Sequence, residues 1–183
     1  DPRVKAVTFT GSPEVGISIR NKAGLKKVIL ELGSNSALIV DACVPLEVVI
    51  DRAVTGAFSY AGQVCISIQR MYVHEQVFDE FVRSFVAKTE KLQVGDPLDA
   101  ATDVSALIGQ RDAERAMQWI AEAEQLGAVV ATGNRREGNI VYPTVLLHVA
   151  SSASVSCQEV FAPIVMINKV ASVDEAIRMV NDS

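Results

Sequence analysis

Val4-Lys5-Ala6-Val7-Thr8-Phe9-Thr10 runs directly into Gly11-Ser12-Pro13-Glu14, and this junction sets the strand–turn–helix pattern on which the reading of the fold rests. The first seven residues are rich in β-branched side chains in partial alternation, which is the pattern of a strand. Ser12 is a good helix N-cap, because its hydroxyl can accept from a free first-turn N–H. Pro13 suits the first helical position, and Glu14 complements the positive end of the helix dipole. A helix is therefore expected from Pro13 to about Ala23, ended by Gly24.

The same alternation continues downstream. Val28-Ile29-Leu30-Glu31-Leu32 reads as a strand closed by Gly33-Ser34-Asn35, and Ala37–Val40 as another. Pro45 opens a helical stretch with Val48, Val49, Ala53, Ala57 and Tyr60 near helical spacing, stopping at Gly62-Gln63-Val64-Cys65. Met71–Val73 is a strand. Gln76–Leu92 is an amphipathic helix, with Val77, Phe78, Phe81, Val82, Phe85 and Val86 on one face. Arg111–Gln125 is a further helix before Gly127, and Val129–Thr132 a strand. Gly133–Asn139 is a polar turn, and Ile140–Val149 is extended with an irregularity at Pro143. A loop leads through Ala162-Pro163 to a strand at Val165–Val170 and a helix from Val173. Such alternation predicts an α/β fold with a mostly parallel sheet flanked by helices.

Composition narrows the function classes. The chain has 183 residues, 17 Lys+Arg against 22 Asp+Glu, a net charge of −5, and 49% hydrophobic residues. This is a globular composition. Its acidity argues against a nucleic-acid partner. No apolar run approaches the ~20 residues of a membrane helix, and no signal or lipidation motif is visible. Cys43, Cys65 and Cys157 are widely spaced and form no C-x-x-C, which argues against a disulfide framework or a zinc site. A reducing, cytoplasmic setting is the expectation, with Cys43 and Cys157 as ordinary buried thiols. His74 and His148 offer little for a metal centre, and none is expected. The first residues are Asp1-Pro2, and the last helix ends abruptly near Ser183. Both suggest a piece of a longer chain.

Four runs could carry chemistry. Cys65 follows a helix-ending Gly62, where a thiol can be exposed beside backbone N–H groups; the alternative is a small buried hydrophobe. Glu31 interrupts an apolar strand, so its carboxylate must find a partner, reach water or titrate late, the last of which suits a general base. Gly11-Ser12 joins a strand to a helix N-terminus, a place that can hold a phosphate. Glu159-Val160-Phe161-Ala162-Pro163 joins one acid to one aromatic in a loop.

Together, Phe9-Thr10-Gly11-Ser12, Leu30-Glu31-Leu32-Gly33, Gly62-Gln63-Val64-Cys65 and Glu159-Val160-Phe161-Ala162-Pro163 resemble the NAD(P)-dependent aldehyde dehydrogenase superfamily in order and spacing. Glu31 and Cys65 stand 34 positions apart, as in that family. Asp41-Ala42 and Tyr142-Pro143-Thr144-Val145 also look like family landmarks.

The resemblance implies an aldehyde dehydrogenase-like catalytic domain and oxidation of an aldehyde substrate with NAD or NADP. Cys65 resembles the nucleophile and Glu31 the general base that activates water. The Cys65 N–H resembles an oxyanion donor. Glu159 resembles the residue holding the nicotinamide ribose, and Phe161 the one packing near the nicotinamide. Gly11-Ser12 and the helix behind it resemble a phosphate contact, and Leu32 a backbone contact to the nicotinamide amide. Gln63 is read as structural.

Residues 1–32 resemble the tail of a cofactor-binding domain, and 33–183 a C-terminally truncated catalytic domain. The full-length protein is expected to be a homo-oligomer, and the isolated chain an inactive fragment. Two positions depart from the family pattern, Ser34 and Ala162, where glycine is usual. Ala162 is expected to carry a methyl group where the loop needs positive φ. A cofactor-free thiol hydrolase or a non-enzymatic binding remnant are the competing classes.

Overall fold

A computed structural model describes residues 1–182. They fall into two compact units, 1–34 and 35–182.

The first unit is a single βαβ element. Strand β1 (Ala6–Thr10) leads into helix α1 (Pro13–Lys22), and β2 (Lys27–Glu31) returns parallel to β1 with Thr10 opposite Glu31. Ser12 caps α1 as its sequence predicts, accepting from the Val15 N–H at 3.4 Å. Gly24, at φ 61, turns the chain back after the helix. Gly16 is the buried residue of this unit, and a β-carbon there would collide with the Leu32 side chain. Leu32 thus packs on α1 through a glycine gap.

The second unit is built on a five-stranded sheet. Its elements are β3 (Ala37–Val40), α2 (Leu46–Phe58), β4 (Arg70–His74), α3 (Glu75–Thr89), α4 (Gln110–Gln125) and β5 (Val129–Thr132). There follow β6 (Arg136–Glu137), β7 (Ile140–Val141), β8 (Thr144–Leu147), α5 (Ser154–Cys157), β9 (Ile164–Val170) and α6 (Val173–Asn181). The sheet order is β3-β4-β9-β8-β5, with every pair parallel except β5–β8. The interior strands β4 and β9 read Arg70-Met-Tyr-Val-His74 and Ile164-Val-Met-Ile-Asn-Lys-Val170, and are almost wholly buried. Near-continuous apolar runs are what a sheet covered on both faces requires. Helix α3 contributes Phe78, Phe81 and Phe85 to the core, with the Phe81 and Phe85 rings stacked at 5.7 Å. Each buried phenylalanine adds roughly 1.5–3 kcal/mol of transfer free energy.

Several sequence expectations shift. The helix opened by Pro45 ends at Phe58 rather than running to Gly62, because residues 59–62 form a tighter turn with Tyr60 and Ala61 both left-handed at φ 55. The 133–139 turn contains the two-residue strand β6, which pairs with β7. The loop before Ala162 holds the one-turn helix α5. Short elements of this kind carry too few residues for periodicity to register.

Candidate active site

In the second unit, the parallel neighbours β3, β4 and β9 are all entered from the same end of the sheet. The segments entering them, 35–36, 63–69 and 158–163, therefore meet there. Two of these carry candidate residues: Cys65 lies in the second and Glu159 and Phe161 in the third.

Cys65 occupies a corner of a β-turn closed by the Ser67 N–H on the Val64 carbonyl at 2.9 Å. The turn is docked on α2. Ile68 N–H donates to the Gly56 carbonyl at 2.9 Å, and the buried Ser67 hydroxyl donates to the Ala57 carbonyl at 3.2 Å. These bonds leave Cys65 exposed, in contrast to the small-hydrophobe alternative. Among the described residues, no hydrogen bond occupies the Cys65 N–H. Gln63 braces the turn. Its amide carbonyl accepts from the Ile108 N–H at 2.9 Å and its amide nitrogen donates to the Ala106 and Tyr60 carbonyls.

The 158–163 segment packs directly against the helix–turn junction. A β-carbon on Gly62 would collide with the Ala162 carbonyl oxygen, so glycine permits the two loops to touch. Gly62 also has φ 70, which a side chain would strain. In the third loop the left-handed residue is Phe161, at φ 49, and not Ala162. The expected strain sits one position earlier because Ala162 is buried against the Gly62 loop in an ordinary backbone conformation. Phe161 is 39% exposed and, with Tyr60, Gln63, Ala106 and Ile108, lines an open cleft of about 950 Å³. Glu159 is half-buried.

The first unit assembles its own group. Parallel pairing sets the carboxyl ends of β1 and β2 side by side, and the Gly11 N–H donates to the Glu31 carbonyl at 3.0 Å. Gly11, Ser12, Glu31 and Leu32 thus share one edge with the N-terminus of α1. Glu31 is exposed: of the routes open to a carboxylate in an apolar strand, it takes the one to water.

Two thiol expectations are overturned. Cys43 and Cys157 are exposed, not buried. Cys43 lies in the short loop before α2, and Cys157 at the end of the single-turn α5, where neither is covered by a following element. The histidines stand apart in role: His74 caps α3 through Nδ1, and His148 lies against Phe78 at 6.0 Å. Sequence reading passed over Gln69 and Asn35, whose side chains tie the three entering segments together; single amides carry no motif.

The aldehyde dehydrogenase family profile matches residues 1–183, and the chain belongs to that family. It is 47% identical over 180 residues to a 3-sulfolactaldehyde dehydrogenase of Priestia aryabhattai, covering 98% of this chain and 38% of the relative. It is 38% identical over 181 residues to a lactaldehyde dehydrogenase of Methanococcus aeolicus, covering 99% and 39%. Among solved structures, aldehyde dehydrogenase 21 of Physcomitrella patens, in complex with the reaction product succinate, superposes with a TM-score of 0.96 at 39% identity. That match covers 99% of this chain and 38% of the other. A betaine aldehyde dehydrogenase of Staphylococcus aureus, in complex with NAD+, superposes at 0.93 with 29% identity, covering 98% and 37%. The chain spans well under half the length of the relatives it matches.

Proposed function

We propose that this chain is part of a longer aldehyde dehydrogenase that oxidises an aldehyde to a carboxylate with NAD or NADP. Residues 1–32 are read as the tail of its cofactor domain and the remainder as most of its catalytic domain. The observation that carries the reading is Cys65. It is an exposed thiol on a braced turn with its own N–H uncommitted, against the loop that bears Glu159 and Phe161.

The residues of the first unit fit the phosphate of a dinucleotide. Gly11 and Ser12 lie at the carboxyl end of parallel strands and at a helix N-terminus, the arrangement by which α/β folds take a phosphate. Ser12 and Gly11 would take the phosphate, Leu32 the nicotinamide amide through its backbone, Glu159 the ribose and Phe161 the face of the nicotinamide. When bound, NAD(P)+ supplies the hydride acceptor.

Cys65, as thiolate, adds to the aldehyde carbon and forms a thiohemiacetal, its N–H bonding the oxyanion. Loss of hydride from that carbon leaves a thioester on Cys65. Glu31 takes a proton from water, which attacks the thioester carbonyl. The carboxylate product leaves and the Cys65 thiolate is restored.

The names of the relatives favour small aldehydes that carry an acid group, such as 3-sulfolactaldehyde and sulfoacetaldehyde. The full-length protein is proposed to be a cytoplasmic homo-oligomer without nucleic-acid or membrane partners. Among the described residues, no helix is long and apolar enough to cross a membrane. The test measures NAD(P)+ reduction on acid-bearing and neutral short aldehydes, by this chain, by the full-length protein and by its Cys65→Ala variant. Turnover confined to the full-length protein and abolished by the substitution is expected. Ester cleavage by Cys65 without NAD(P), and no aldehyde oxidation, would replace the reading with a thiol hydrolase.

A further inference from the structure

Val160, the residue that follows Glu159, has both its main-chain donor and its main-chain acceptor held by side chains from elsewhere in the unit. The Val160 N–H donates to the Gln69 side-chain carbonyl at 3.0 Å. The Val160 carbonyl accepts from Nη1 of Arg115, on α4, at 3.0 Å. Gln69 also donates through Nε2 to the Gln158 carbonyl at 3.0 Å and to Oδ1 of Asn35. Asn35 in turn donates to the Ser156 carbonyl at 2.9 Å. Gln69 is 4% exposed, and its bond to the Val160 N–H forms away from water, where an unmade one is costly. Its main chain is fixed as well, since its carbonyl accepts from the Met166 N–H of β9 at 2.9 Å.

We infer that Gln69 and Arg115 are positioning residues for the cofactor-binding loop: they set where Glu159 and Phe161 stand relative to Cys65. This rests on the roles proposed for those three residues. Gln69 lies four residues after Cys65 on the same segment. The rigid strand head that carries the nucleophile turn therefore also grips both sides of Glu159, at Gln158 and Val160. Phe161 supplies a second sign. A non-glycine residue at φ 49 is strained and persists only where its surroundings over-determine it. The two clamps on Val160 before it, and the Gly62–Ala162 contact after it, provide that determination. Trp119 steadies Arg115 by lying under its guanidinium at 4.7 Å.

The test uses the full-length protein with Gln69→Met, which keeps the side-chain length and removes the amide, and with Arg115→Ala and Arg115→Lys. Three quantities are read: NADPH and NADH affinity by fluorescence, the separate KM values for cofactor and aldehyde, and the rate of Cys65 alkylation by iodoacetamide. Gln69→Met is expected to weaken cofactor binding, and raise its KM, about tenfold, the size of one buried hydrogen-bonding group lost. Aldehyde KM and Cys65 alkylation stay within about twofold. Arg115→Ala is expected to weaken cofactor binding several-fold, and Arg115→Lys, which keeps a donor, to restore most of it.

Unchanged cofactor affinity in a folded Gln69→Met, with only its melting temperature lowered, overturns the inference. So does an equal loss in Cys65 alkylation, which would mean general damage to the site. If Gln69→Met does not fold, the half-exposed Arg115 pair decides: cofactor affinity unaltered by Arg115→Ala refutes it. A wild-type protein that binds neither NADH nor NADPH removes the functional reading itself, and this inference with it.

Discussion

Residues 1–34 and 35–182 are both α/β in plan, yet they differ in what they bury. The first unit has two strands, one helix and one buried residue, Gly16, while Val15, Ile17, Leu25 and Ile29 stand exposed. In the second, every buried hydrophobic side chain of the described residues is found, from Val40 to Ala176. Two strands and a helix with so little buried surface cannot offset the entropy of ordering them. Regular secondary structure and stability are thus distributed differently along one chain. The first unit owes its shape to local signals such as the Ser12 cap and the Gly24 turn, and the second to a core.

Cutting the chain between Ser34 and Asn35 is the sharpest way to break this comparison. Residues 1–34 alone are expected to show no stable fold by far-UV circular dichroism, and residues 35–183 to keep a cooperative urea transition. A folded 1–34 peptide would overturn it. Next in size, Phe81→Ala should cost the second unit about 3–5 kcal/mol, read from the shift in urea midpoint. Ile17→Ala in the exposed face of α1 should change that midpoint by no more than about 0.5 kcal/mol.

Gly62→Ala should cost about 2–4 kcal/mol, because it adds left-handed strain to overlap with the Ala162 carbonyl. Gly127→Ala, where nothing lies within 4 Å of the added carbon, should cost less. Ser12→Ala should remove about 1 kcal/mol from α1, seen as faster amide exchange in residues 13–22 while the urea transition stays put. The smallest effect runs the other way. Tyr60→Gly should stabilise by about 1 kcal/mol, since Tyr60 is 80% exposed and left-handed at φ 55.

The parts of this fold that sequence exposes are those with local chemistry or sustained periodicity. The α1 cap needed only Ser12-Pro13-Glu14, and the buried face of α3 only its phenylalanines. The α/β alternation followed from both. Strand β5 was legible at Val129–Thr132, but its antiparallel direction, the β6–β7 pair and the one-turn α5 escaped, because strand direction and two-residue pairings depend on distant partners. At the candidate site the thiol, the acids and the aromatic were visible as motifs. The left-handed angle was assigned to Ala162 through a glycine-based argument, whereas the fold spends it on Phe161, held by Gln69 and Arg115. Exposure of Cys43 and Cys157 also escaped, since burial of a lone cysteine is decided by what packs over it.

The sheet order β3-β4-β9-β8-β5 has a consequence during synthesis. Strand β4 finds its second partner only when β9 emerges, Arg70 pairing with Met166 about a hundred residues later. At translation rates of about 5–20 residues per second, β4 waits on the order of 5–20 s with one hydrogen-bonding edge open. Such an apolar edge, rich in Met71, Tyr72 and Val73, is a template for wrong pairing. The nascent chain is therefore exposed to aggregation in that interval, before the strand that joins β4 to β8 and follows the Glu159 loop has left the ribosome.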